Sequence, residues 1–312
     1  MIGIIYADYY LPHHKKRTEK YFYENKFDID IDDFISTSGI EYIYITKSKN
    51  YISMIKSLLD DYFKCNKCNP EEFSYIIFTN LSNYLQDNIN IPYLIQKDYG
   101  FKNASILYLN NACASCIQAI QVGSELIRES NEKILILAVT SNLEDQERFM
   151  NITITGDAAG IIILSDSADV QAQVVDSLSI ADGSYSCGLY YEGYADVDKL
   201  ELLWGNIKAL KAILIKNHIS VNDIELIIPQ NINIELYHLY AKSLNISYEK
   251  IFTDNISKGG HLENVDTIRN YLSCIESIKN NSYFIIMGLG LLNLDAMYNV
   301  ILCKKVSAYK KE

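Results

Sequence analysis

The sequence predicts an α/β protein made of two similar halves. Three observations carry that expectation: strand-length apolar runs alternate with amphipathic helical stretches, several of those runs are apolar throughout, and the second half repeats the order of the first. Residues 51–64 have helical apolar spacing and are followed by an apolar strand at Tyr75 to Phe78. A helix at about 92–98 and a strand at Ser105 to Leu109 come next. After Cys113 a long helix is expected, because Cys116, Ile117, Ile120, Gly123, Leu126 and Ile127 recur at steps of three and four. The run KILILAVT (133–140) reads as a strand buried on both faces, and GDAAGIIILS (156–165) turns through small residues into another.

The second half runs through the same grammar. SYIIFTN (74–80) has its counterpart in IELIIPQN (224–231), and the strand ending in LYLNNACAS (107–115) matches one ending in IFTDNISKGG (251–260). KILILAVT and GDAAGIIIL correspond to YFIIMGLG and DAMYNVILC. Residues 165–186 read as a strand crossing between the halves, which places them at 1–170 and 171–312. Loops that follow equivalent strands then converge on the join.

With 49% hydrophobic residues in 312, the chain has material for one large core or two fused ones. No run reaches the roughly 18 apolar residues of a membrane span, and the basic residues near the N-terminus follow the short apolar run instead of preceding it, so a cytoplasmic protein is expected. A net charge of -11 without a basic stripe argues against a nucleic-acid partner. Neither glycine-containing stretch forms a phosphate loop, and no cofactor is expected.

Seven cysteines without a leader sequence read as free thiols. Cys65/Cys68 and Cys113/Cys116 have C-x-x-C spacing, but the two pairs lie too far apart for a zinc ribbon, and no metal site is expected. Cys113 follows an apolar run and small residues and precedes an amphipathic pattern. A buried thiol is the commoner fate of such a residue; a nucleophile at the first turn of a helix is the other, its pKa lowered there by free N–H groups and the helix dipole.

NNACASCIQAI and TGDAAGIIIL, with IPYLIQKDYG upstream, IIPQNIN and NISKGGH downstream and a late GLG, resemble the thiolase-fold enzymes, specifically the β-ketoacyl-ACP synthase III branch. The opening is similar too, with Tyr10, Leu11, Pro12 and later Ser38, Gly39, Ile40. The resemblance implies two similar α/β halves around a central helix carrying the nucleophile, and a homodimer with residues 91–100 near the partner. It makes Cys113 the acylated residue, with the backbone amides of Cys113 and Gly290 as the oxyanion hole. Asn233 and Arg148 fall at or near positions that contact substrate in that family.

The chain departs from the family pattern where the second half supplies its catalytic pair. In place of P-H-Q-A-N stand Pro229, Gln230, Asn231, Ile232 and Asn233, so Gln230 takes the histidine position. In place of the G-N pair stand Gly260 and His261. Cys113, Gln230 and His261 are therefore the expected set. Gln230 donates and accepts hydrogen bonds but does not exchange a proton near neutrality; His261 does both. A loop histidine with no part in chemistry is the plainer reading of His261, and His13, His14, His218 and His238 read as surface or structural residues. The Trp and Arg that hold coenzyme A in the family are absent from Asp33 to Ser38, and Glu235 stands near the position of an arginine that receives a carrier protein. Lys208, Lys211 and Lys216 read as a solvated helix face.

The resemblance implies an acyltransferase. It takes an acyl group from a carrier-protein or coenzyme A thioester onto Cys113 and passes it to a small-molecule or carrier-bound acceptor, by condensation or by acylation of N, O or S. Loss of the histidine points to specialised metabolism. A non-catalytic partner subunit of a synthase heterodimer is the alternative.

Overall fold

A computed structural model describes residues 1–46, 51–80, 90–128, 131–140, 145–184, 199–292 and 295–306. In chain order the elements are β1 (Gly3–Tyr10), β2 (Lys15–Arg17), α1 (Thr18–Asn25), α2 (Ile31–Ser38), β3 (Tyr42–Tyr44), α3 (Tyr51–Cys65), β4 (Phe73–Asn80), α4 (Ile91–Tyr99), β5 (Ser105–Leu109) and α5 (Ser115–Leu126). They continue with β6 (Lys133–Thr140), β7 (Ala158–Ser165), β8 (Ala172–Asp182), α6 (Lys199–Lys216), β9 (Ile224–Ile228), α7 (Ile234–Leu244), β10 (Lys258–Gly259), α8 (Asn264–Cys274), β11 (Tyr283–Leu292) and β12 (Asp295–Lys305).

Nine strands form one hydrogen-bonded sheet in the order β5-β4-β6-β7-β1-β8-β12-β11-β9. The join between β1 and β8 is short, with only Gly3 opposite Gln173 and Ile4 opposite Ala172. Each half can therefore fold toward the other across a common layer of helices. That layer is α5 and α8, which touch each other as well as strands of both halves. One core cluster accordingly mixes the two: Ile77, Ile117, Ile120 and Ile136 pack with Ile228, Val265, Ile268 and Phe284. Outside the layer, α3 lies on β1 and β7, and α6 lies on β12, β8 and β11.

The apolar runs form strands because sheet burial removes both faces from water. Every residue of β7 is buried, as is every residue of β6 after Lys133. One expectation needs correction. The segment 251–256 forms only a bridge, Ile251 to Ile227, and the following Lys258–Gly259 pairs with β3 in a separate three-stranded sheet. The second half thus has four strands of the large sheet where the first has five. The two halves share a core: Tyr21, Phe22 and Phe34 from α1 and α2 pack with Leu236, Tyr237 and Tyr240 of α7. Much of the C-terminal part of the crossing segment 165–186 is β8; residues 185 and 186 lie outside the described residues. Among the described residues no helix is long and apolar enough to cross a membrane.

Candidate active site

Cys113 lies in the turn between β5 and α5, two residues before the helix begins. Ala112 precedes it at φ 48°, a conformation that costs a residue with a Cβ. Local hydrogen bonds hold the turn in that shape. The Asn111 amide donates to Ser115 Oγ at 2.6 Å, and Ser115 Oγ donates to the Ala112 carbonyl at 2.7 Å. From the other half, Asn264 Oδ1 accepts the Cys116 amide at 3.1 Å and so satisfies one of the free donors at the start of α5. Gly290 closes the turn from β11, where a Cβ would stand 2.0 Å from the Asn111 carbonyl oxygen. Only glycine lets that backbone approach the Cys113 loop.

His261 reaches the same place on a strap across the first half. Its amide donates to Ile154 O at 3.0 Å, and its carbonyl accepts from the Gly156 amide at 2.8 Å. Gly260 permits the approach: its φ is 66°, and a Cβ there would lie 2.7 Å from Ile154 O. The imidazole is 2% exposed, while His13, His14, His218 and His238 are exposed.

His261 Nδ1 lies 2.5 Å from Asp266 Oδ2, in the first turn of α8. Asp266 also accepts from the Asn231 amide and the Asn231 Nδ2, both at 2.8 Å, and from the Leu262 amide at 2.9 Å. Three other donors around the carboxyl fix it as an acceptor, so Nδ1 carries the proton and Nε2 keeps the lone pair. The thiol and the imidazole act on each other electrostatically, each favouring the other's charged form.

The electrostatics of this buried set oppose one another. Burial pushes the Cys113 thiol above its ordinary value, against the pull of His261, and the helix start does not reverse this, since Cys113 stands outside the first turn. For His261, burial disfavours the cation, yet Cys113 and Asp266 outweigh it and carry the imidazole well above its usual range. Part of that lift requires a Cys113 thiolate, whereas the thiol's own shift favours the protonated form. The contribution of Asp266, hydrogen-bonded at a fixed position, is the one that stands in both states. Cys116 is inert by comparison: it is fully buried, and its thiol is pushed up to about 12 by burial alone.

Three residues expected at the site have other occupations. Gln230 Nε2 donates to the Cys113 carbonyl at 2.6 Å, and its Oε1 accepts the Leu289 amide at 2.9 Å. One N–H and the oxygen of the amide are spent on backbone, so Gln230 clamps the turn to β11. Arg148 is 2% exposed and makes a two-pronged pair with Asp157, at 2.9 and 3.1 Å. That pairing removes it from substrate contact. Asn233 caps α7 by accepting the Leu236 amide at 2.8 Å.

Sequence reasoning missed Asp266, Asn231 and Asn264. A base needs an orienting partner, and an acid five residues after His261 at a helix start was the available signal.

Residues 108–183 match the model of the 3-oxoacyl-[acyl-carrier-protein] synthase III family. The β-ketoacyl-[acyl-carrier-protein] synthase III of Clostridium perfringens strain 13 is 26% identical over 288 residues, spanning 83% of this chain and 87% of that one. Among solved structures, the 3-oxoacyl-[acyl-carrier-protein] synthase III of Aquifex aeolicus superposes with a TM-score of 0.79 at 20% identity, covering 97% of this chain and all of the other. ChlB3, an acyltransferase, gives a TM-score of 0.83 at 14% identity over 98% of each chain. The fold is that of the thiolase-like α/β proteins. Within that class, the chain is similar to the ketosynthase III-like family.

Proposed function

We propose that this chain is an acyltransferase with an acyl-cysteine intermediate, and that its second step acylates a heteroatom. An acyl group passes from a carrier-protein or coenzyme A thioester to Cys113: the sulfur–carbonyl bond forms, the donor's carbonyl–sulfur bond breaks, and the thiol proton moves through His261 to the departing thiolate. The acceptor's N–H, O–H or S–H then gives its proton to His261 Nε2 as the nucleophile attacks, and Cys113 leaves as thiolate. The amides of Cys113 and Gly290 receive the oxyanion in both steps.

The observation that carries this reading is the hydrogen bond from His261 to Asp266. A carboxylate-backed imidazole suits proton removal from an acceptor. Decarboxylative condensation calls instead for donors around the extender's carbonyl, and Gln230 is committed to the Cys113 and Leu289 backbone. We take the protein to work as a cytoplasmic homodimer in a specialised pathway.

Intact-protein mass after incubation with a panel of acyl-CoA and acyl-carrier thioesters tests the first step. An acyl-sized gain that vanishes in Cys113→Ala is expected. Chasing the acyl-enzyme with amine and alcohol panels against malonyl thioesters tests the second. Carbon dioxide release with a β-keto product would replace heteroatom transfer by condensation, and no mass gain with any donor would favour the partner-subunit role.

A further inference from the structure

Among the described residues, the cysteines outside the site differ in what surrounds them. Cys274 and Cys303 are buried, and like Cys116 they are packing residues whose thiols burial pushes up. Cys65, the last residue of α3, is exposed. Cys68 is half-buried in the loop after α3, and two charged side chains meet at its sulfur. Lys133 Nζ donates to Cys68 Sγ at 3.0 Å and to Glu72 Oε2 at 2.5 Å. The hydrogen of the thiol has two acceptors in reach, Glu72 Oε2 at 3.6 Å and the Asn69 carbonyl at 3.8 Å.

Backbone fixes all three groups. Lys133 opens β6 opposite Phe73, the first residue of β4. Glu72 ends the helical turn Pro70–Glu72, its amide donating to the Asn69 carbonyl at 3.0 Å, and the Cys68 amide donates to the Asn66 carbonyl at 2.9 Å. The Lys133 side chain is only 15% exposed, which leaves it little room to swing away. Burial disfavours its ammonium, but the bonds to Glu72 and Cys68 outweigh that and keep the lysine charged. An ammonium has donors only, so the sulfur accepts, a role a thiolate fills best. The pair of Lys133 and Glu72 would be complete without that sulfur. The group stands at the starts of the parallel strands β4 and β6, whereas Cys113 follows the end of β5, parallel to β4, so the two cysteines occupy opposite edges of the sheet.

We infer that Cys68 is a modification site at which hydroperoxides oxidise this chain. The sulfur attacks one peroxide oxygen, the S–O bond forms as the O–O bond breaks, and the thiol proton ends on the departing oxygen. Cys68 is thereby oxidised to a sulfenic acid while hydrogen peroxide is reduced to water. Lys133 holds the negative charge on sulfur until the bond forms, and the partial exposure of Cys68 admits so small an oxidant.

The test treats two full-length variants, Cys65→Ser and Cys68→Ser, with hydrogen peroxide near neutral pH while dimedone is present to trap sulfenic acid, and locates the adduct by peptide mass. Cys68 in the first should be labelled roughly tenfold faster than Cys65 in the second, the scale of one opposite charge acting across a partly solvated gap. Exposure alone predicts the reverse order, since Cys65 is the more open thiol. Adding Lys133→Met to the Cys65→Ser chain should remove the advantage. Equal rates at the two cysteines overturn the inference, as does undiminished labelling without Lys133. The comparison of the two cysteines stands even where the Lys133→Met chain does not fold. Dimedone reports on Cys68 whether or not Cys113 accepts an acyl group, so this result and that of the thioester panel are independent.

Discussion

Asp266 fixes the tautomer of His261, and the tautomer decides whether Nε2 accepts a proton or donates one. In Asp266→Asn the amide keeps the shape but can present an N–H to Nδ1, which would move the ring proton to Nε2 and turn it toward Cys113. Transfer from the acylated enzyme should slow by about 10⁴-fold, on the scale found for the orienting acid of a hydrolase triad. Single-turnover release of the acyl group measures it, and a loss below about tenfold would remove Asp266 from the mechanism. Cys113 and His261 were legible from the order of short motifs. Asp266 was not, because nothing in the spacing His261 to Asp266 marks contact until the strap bends into α8. Gln230 was legible as a position, but its two backbone partners, at Cys113 and Leu289, were not, since they come from distant parts of the chain.

At the scale of elements, the site depends on how closely β11 approaches the turn before α5. Gly290→Ala would place a methyl 2.0 Å from the Asn111 carbonyl oxygen, and that backbone cannot yield without moving Cys113. We expect a loss of at least about 1–3 kcal/mol in denaturant unfolding together with slower acylation. Gly183→Ala, where a Cβ meets nothing within 4 Å, should leave both unchanged. The long elements were plain from periodicity: α3, β5, β6 and α5 follow their apolar patterns closely. The segment 251–256 misled because its apolar residues Ile251, Phe252 and Ile256 look like one strand, whereas a turn at 253–256 sends them to different neighbours. Of these, Ile251 and Ile256 join the cluster under α7, and Phe252 packs on the central one.

Across the whole molecule, Arg148 and Asp157 form an ion pair inside the fold. Asp157 also accepts the Thr46 amide at 2.7 Å, so the pair ties the turn at 145–148 and the β3 segment to the start of β7. Burial pushes the Asp157 carboxyl up, against the pull of Arg148. Removing the guanidinium therefore leaves an acid with a desolvation penalty and no counter-charge. Arg148→Ala should cost about 3–5 kcal/mol in unfolding free energy, as for other broken buried pairs, whereas a substrate contact would alter KM and leave stability intact. Chemical denaturation at pH 7 beside acylation kinetics separates the two.

The link from Asn264 to the Cys116 amide has a consequence in the order of synthesis. The thiol leaves the ribosome long before residues 260–266, yet the start of its helix is satisfied by Asn264 and the proposed acceptor of its proton is His261. A nascent chain that has made only the first half holds Cys113 without the imidazole that activates it. Reactivity toward thioesters should therefore switch on only after α8 has docked, which makes the finished fold its own safeguard against premature acylation.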